Sequence, residues 1–240
     1  MGEAVVACVL AAVFSAVVWQ RWWHSRRPAF AAWGAGLLIF AAAALTQALG
    51  EASGFSPALF RAFYLLGGIL GVIYLALGTA FLMAPVRAVR IAALVLLALT
   101  VLLAIDASIV PVDGSRLSTS AGVLGGALVG HGTPIFVAAV VFNVVGTVVL
   151  AGGSAWSAYR FARSRAGLDR VVCNVLLTAG ALVVALGFAL AKSVGGSLGE
   201  LGIFEAVGVA LMFAGFLSLG RVGVPARALV APVAGITTRD

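Results

Sequence analysis

Seven long apolar runs dominate this chain, at residues 4–20, 29–50, 57–83, 88–106, 135–159, 171–192 and 201–220. Each approaches or exceeds the roughly 20 residues that cross a hydrocarbon core as a helix. None shows the period-two alternation of a barrel strand. They do not suit a water-soluble domain, whose surface helices need a polar face. Of the 240 residues 63% are hydrophobic and only 10% charged, too few to coat such a domain. In a bilayer lipid covers the outer faces, and helices satisfy their own backbone groups. The chain therefore reads as all-α: one polytopic transmembrane domain over 1–240, with the lipid bilayer as its first partner.

Proline marks the same boundaries. Pro28, Pro57, Pro85, Pro111, Pro134, Pro225 and Pro232 all fall at or outside the ends of the runs. Ser56-Pro57 and Thr133-Pro134 each read as an N-cap followed by proline at the first helical position, where a missing N–H costs nothing.

Loop charge sets the orientation. Arg21, Arg26 and Arg27 follow the first run, Arg87 and Arg90 the third, and Arg160, Arg163, Arg165 and Arg170 the fifth; Arg221, Arg227 and Arg239 follow the seventh. These are twelve of the fifteen basic residues, against Arg61, Arg116 and Lys192 at the other ends. The positive-inside rule then puts the N-terminus outside and the C-terminus inside. Trp19, Trp22, Trp23, Trp33 and Trp156 gather at the same cytoplasmic ends, as interfacial anchors do. The net charge of +7 is thus a topology signal, and nucleic acid is not an expected partner. Glu3 stands where a signal peptide has its basic region, so the first run reads as an uncleaved helix. The expected setting is the inner (cytoplasmic) membrane of a bacterium, with an extracytoplasmic loop at 107–134 and a short cytoplasmic tail at 221–240. That loop, rich in glycine and serine, reads as a hairpin, a re-entrant turn, a lid or a plain surface loop.

Gly67, Gly68 and Gly71, and Gly152, Gly153 and Ser157, form small-residue stripes in runs three and five, which let helix backbones approach closely. Cys8 and Cys173 fall in opposite leaflets, too far apart for a disulfide. With two distant histidines they form no metal motif, and no cofactor is expected.

The pattern reads either as an internal repeat or as the chance alignment to which Ala/Leu/Gly-rich helices are prone. At an offset of 141, Ala44, Leu45, Ala48, Leu49 and Gly54 meet Ala185, Leu186, Ala189, Leu190 and Gly195. Phe63 meets Phe204 and Gly67 meets Gly208 without a gap. Runs one to three thus map onto runs five to seven, with run four as connector: a parallel 3+1+3 arrangement. This architecture resembles that of the microbial rhodopsins and the SWEET-type sugar transporters, and the chain is similar to small seven-span prokaryotic membrane proteins of unassigned activity. The rhodopsin likeness implies a retinal-bearing lysine within the seventh helix, and run seven has none. The SWEET likeness implies a Pro-Gln pair, which is missing here.

Polar residues inside the runs mark the candidate site. At roughly 1.5 Å per residue from the cytoplasmic arginines, Glu205, Asn143 and Asp106 stand about 24–25 Å up, in the outer third of the bilayer. Glu51, Arg61 and Lys192 lie at the outer boundary. Charges at such depth face a partner or a wet cavity. Lys192 and Arg61 are the basic candidates for Glu205, and Glu51 pairs with Lys192 across the repeat axis. The plain alternative is a set of interfacial salt bridges locking helix ends. His131, in the outer loop, is a candidate lid group.

No Ser/His/Asp set, HExxH motif, paired aspartates within one span or glycine-rich phosphate loop is present. The expected function is therefore non-enzymatic: binding or translocating a small apolar or amphipathic molecule through an outward-facing cavity. A receptor-like sensor acting on a membrane-protein partner is the second reading, and an embedded enzyme or accessory subunit the third. A homo-oligomer fits any of them.

Overall fold

The computed structural model describes residues 2–114, 117, 129–165, 167–193 and 197–219. Seven helices carry them: α1 Gly2–Ser25, α2 Pro28–Ser53, α3 Pro57–Met83, α4 Val86–Ile109, α5 Pro134–Arg163, α6 Leu168–Ser193 and α7 Leu198–Ser218. All seven are long and apolar enough to cross a membrane, and the protein is an integral membrane protein. Most helices run a few residues beyond the apolar runs. Around the end of α1, long basic side chains lie back over rings while the charge stays near the interface. The Arg21 guanidinium sits 5.9 Å from the Phe30 ring and 5.7 Å from that of Phe216, and Arg26 sits 5.0 Å from Trp22.

Six helices close into a ring, in which α1 packs on α2, α2 on α3, α3 on α5, α5 on α6, α6 on α7, and α7 on α1. α4 lies outside it against α3 and α5. α4 is the most apolar of the seven and the least buried, as a lipid-facing helix should be. Its buried residues Val89, Leu96, Leu103 and Ala107 follow heptad spacing and make one narrow seam.

Local geometry repeats between the triplets α1–α3 and α5–α7. Ser56 caps α3 by accepting from Leu59 N at 3.2 Å, and Ser197, 141 residues on, caps α7 by accepting from Glu200 N at 3.1 Å. Phe60 and Leu201, again 141 apart, are both fully buried. The turns after α1 and α5 each use an arginine in the left-handed region, Arg26 at φ 54 and Arg165 at φ 53.

Two findings differ from the sequence reading. Thr133 stands at the N-cap of α5, but its hydroxyl donates to Gly130 O at 2.8 Å and caps nothing. Asp106 of α4 does that work, its Oδ2 accepting from Ile135 N at 3.1 Å, where a carboxylate also meets the positive end of the helix dipole. The glycine stripes of α3 and α5 coincide with π-helical turns at Leu66–Leu70 and Val148–Gly152. In the first, Gly71 N donates to Leu66 O, one residue beyond the α-helical partner. The stripes also pack closely, a Cβ on Gly153 standing 2.8 Å from Thr79 Cγ2 and one on Gly67 3.2 Å from the Ala43 methyl, while backbone meets backbone on α6 and α7. A Cβ built on Gly180 would stand 2.4 Å from Gly208 O, and one on Gly208 2.7 Å from Gly180 O.

Candidate functional site

The ring interior is filled by two apolar clusters. One contains Phe14, Leu37, Phe40, Leu75, Leu150, Met212 and Phe216 and lies toward the arginine-rich end. The other contains Phe60, Phe63, Ile69, Ile135, Leu198 and Leu201 and lies toward the N-terminal, outer end. A chamber of about 40 Å³ remains at mid-depth, between the two triplets. One water requires roughly 10–15 Å³ of such space, so the chamber holds about three. Its walls come from α2, α3, α5, α6 and α7, and Asn143 and Thr147 of α5 are the uncharged polar side chains among them. Among the described residues, no lining residue is charged.

Asn143 is tied to the π-turn of α3. Its Nδ2 donates to Gly68 O across the α3–α5 seam and to Ala139 O in its own helix at 2.7 Å. The wider turn changes the hydrogen-bond ladder of α3 at the level where the amide enters. Two carbonyl partners also fix which end of the amide is which, because the reverse orientation would set oxygen against oxygen. Both amide hydrogens are thereby used and Oδ1 has no partner among the described residues. Asn143 sits about 14 Å below Pro134 at 1.5 Å per residue, so the outer-third depth read from the sequence places it at the top of the chamber.

The other site candidates lie elsewhere, in two separate groups. Arg61 and Asp106 fasten α4. The Arg61 guanidinium donates through Nη2 to Val110 O at 2.9 Å, at the C-terminal end of α4, while Asp106 caps α5. Both are helix-end contacts of the kind the interfacial alternative described. Arg61 is thus engaged with α4, and no ion pair joins it to Glu205 among the described residues. Tyr74 likewise bonds Thr100 of α4 at 3.1 Å.

Glu51 and Glu205 form the second group, with Gln47, a residue the sequence reading passed over. Gln47 is fully buried, and its Nε2 donates to Leu198 O at 2.8 Å and to Glu51 Oε1 at 3.0 Å. Glu205 is 3% exposed and lies within electrostatic reach of Glu51. Gln47 Oε1 and Glu205 Oε2 are buried without a hydrogen-bond partner among the described residues. The four-residue spacing of Gln47 and Glu51 on one helix face was the signal available in the sequence. The Lys192 side chain, and with it the proposed Lys192–Glu205 and Lys192–Glu51 pairs, lies outside the described residues. So do residues 115–116 and 118–128 of the 107–134 loop and the 221–240 tail. His131 is exposed, its ring 4.9 Å from that of Phe136. Cys8 and Cys173 are both free thiols.

No protein-family model, curated protein or solved structure matches this chain. The likeness to rhodopsins and SWEET-type transporters therefore rests on helix number and triplet order alone.

Proposed function

We propose that this membrane protein binds a small, uncharged, mainly apolar molecule at the interface of its two triplets and passes it across the bilayer by opening one end of the ring at a time. The observation that carries this reading is the chamber itself, at mid-depth and between two repeated units. Transporters built from repeats bind their substrates in that position. The absence of charge from the lining argues for a neutral ligand, and Phe40, Val72, Leu75, Leu150, Phe188 and Met212 favour an apolar one. At its present size the chamber corresponds to a closed state. A larger occupant requires α3 and α5 to separate, and the π-turn in each is a natural place for that adjustment. In this reading the ligand site lies at mid-depth instead of at the outer mouth. By the loop-charge argument the protein sits in the inner membrane with its N-terminus outside.

The second reading, a sensor acting on a partner membrane protein, draws support from the apolar plug of Phe14, Leu37 and Phe216 below the chamber. A sensor has no need for that plug to open.

Mass spectrometry of gently purified protein tests the first reading. A Cβ built on Gly71, a lining residue, makes only ordinary contacts, with Leu66 O at 3.4 Å and Phe40 Cδ2 at 4.0 Å, so Gly71→Phe extends into the chamber. The wild type should release a neutral compound that the folded variant lacks. Equal recovery from both would remove the chamber from the mechanism.

A further inference from the structure

Thr147 differs from every other described threonine. Thr46, Thr79, Thr100 and Thr178 each donate to a carbonyl three or four residues back in their own helix, and Thr133 donates to Gly130 O. The Thr147 hydroxyl makes no hydrogen bond among the described residues, although it lies in a helix where the same back-bond is available. One turn above it, on the same face of α5, Asn143 presents an unused Oδ1. Residues four apart on a helix hold their Cβ atoms roughly 5–6 Å apart. A single oxygen can therefore lie between the two side chains. The chamber thus carries one spare acceptor and one spare donor on a wall that is otherwise apolar.

We propose that the ligand carries a hydroxyl group, which donates its proton to Asn143 Oδ1 and accepts the Thr147 Oγ–H. This rests on the chamber reading above and adds the chemistry of the ligand's polar end: a small neutral alcohol, with its carbon skeleton toward Val72, Leu75, Phe188 and Met212. A carboxylate is disfavoured, because Asn143 Oδ1 would repel it and no cation lines the chamber among the described residues. A plain hydrocarbon would cover both groups and satisfy neither.

Photoaffinity labelling of the full chain in lipid nanodiscs tests this, using a short diazirine alcohol and the matching diazirine alkane. The alcohol should label Val72, Phe188 or Met212, excess 1-butanol should displace it, and the alkane should label the same residues more weakly. Thr147→Val is nearly isosteric and breaks no bond in this structure, so the fold should survive. It should reduce alcohol labelling about fivefold, the scale of one hydrogen bond, and leave alkane labelling unchanged. Asn143→Leu should do the same but also releases Gly68 O, so Thr147→Val is the deciding variant. Equal chamber labelling by both probes in the wild type, or alcohol labelling unaffected by Thr147→Val, overturns the hydroxyl proposal and leaves the chamber reading standing. Labelling of the chamber by neither probe overturns both.

Discussion

The two triplets meet the chamber with unlike side chains at equivalent positions. The first brings Phe40 and Gly71; the second, 141 residues on, brings Ala181 and Met212. Each large residue is answered by a small one in the other unit. Helix packing differs in the same sense. In the second triplet Gly208 and Gly180 bring two backbones into contact, whereas the equivalent Gly67 would set its Cβ 3.2 Å from the Ala43 methyl. α7 is a continuous α-helix, and α3 carries a π-turn. The two triplets share a plan and differ in which position brings backbones together: Gly36 would set its Cβ 2.8 Å from Leu75 N in the first, and Gly180 its own 2.4 Å from Gly208 O in the second.

That comparison can be broken at its tightest point. Gly180→Leu should cost about 3 kcal/mol or more, since any Cβ there meets backbone that cannot move aside. Gly67→Ala should cost less than about 1 kcal/mol, because its neighbour is a methyl group that yields a few tenths of an ångström. Thermal unfolding in detergent measures both, and similar losses would erase the distinction between the triplets.

Anchoring sharpens it further. α5, the first helix of the second triplet, is held at its outer end by Asp106 from α4. Asp106→Ala should lower stability by about 1 kcal/mol, the usual value of a lost cap, and speed hydrogen exchange at Ile135 more than elsewhere. Uniform exchange would show that the cap does not govern that end.

The smallest effect concerns Tyr64 and Glu205, which occupy equivalent places on α3 and α7. Glu205 is buried and has no hydrogen bond on Oε2. Glu205→Leu should leave stability unchanged or raise it by up to about 1 kcal/mol, since a buried acid is commonly replaced by an apolar residue without loss. A large decrease in melting temperature would mean that the acid holds a structural partner.

Much of the fold was legible. Run length and proline placement gave all seven helices, and α3 was located to the residue because Ser56-Pro57 and Pro85 bracket it. The repeat offset recovered from Ala44–Gly54 is the one that relates Ser56 to Ser197 and Gly67 to Gly208. The candidate site was less legible. Depth along a helix can be counted, but the direction in which a side chain leaves it depends on neighbours. Asn143, Asp106, Arg61 and Glu205 stand within a few turns of one level and serve three different places. Gln47 was missed because an amide carries no charge to draw attention in an alanine-rich helix. Thr147 was missed because an intramembrane threonine ordinarily bonds its own helix.

Sequence by itself determined that the chain crosses a membrane seven times and that twelve basic residues share one side, because both follow from transfer costs that each segment meets independently. Only the tertiary structure decided that α4 stands outside the ring, that Asp106 and Arg61 fasten helix ends, and that Asn143 and Thr147 face a chamber. These depend on which helices touch, and many pairings of apolar faces satisfy the same hydropathy. The selection is made by close contacts such as Gly180 on Gly208 and by hydrogen bonds between helices, which hydropathy does not record.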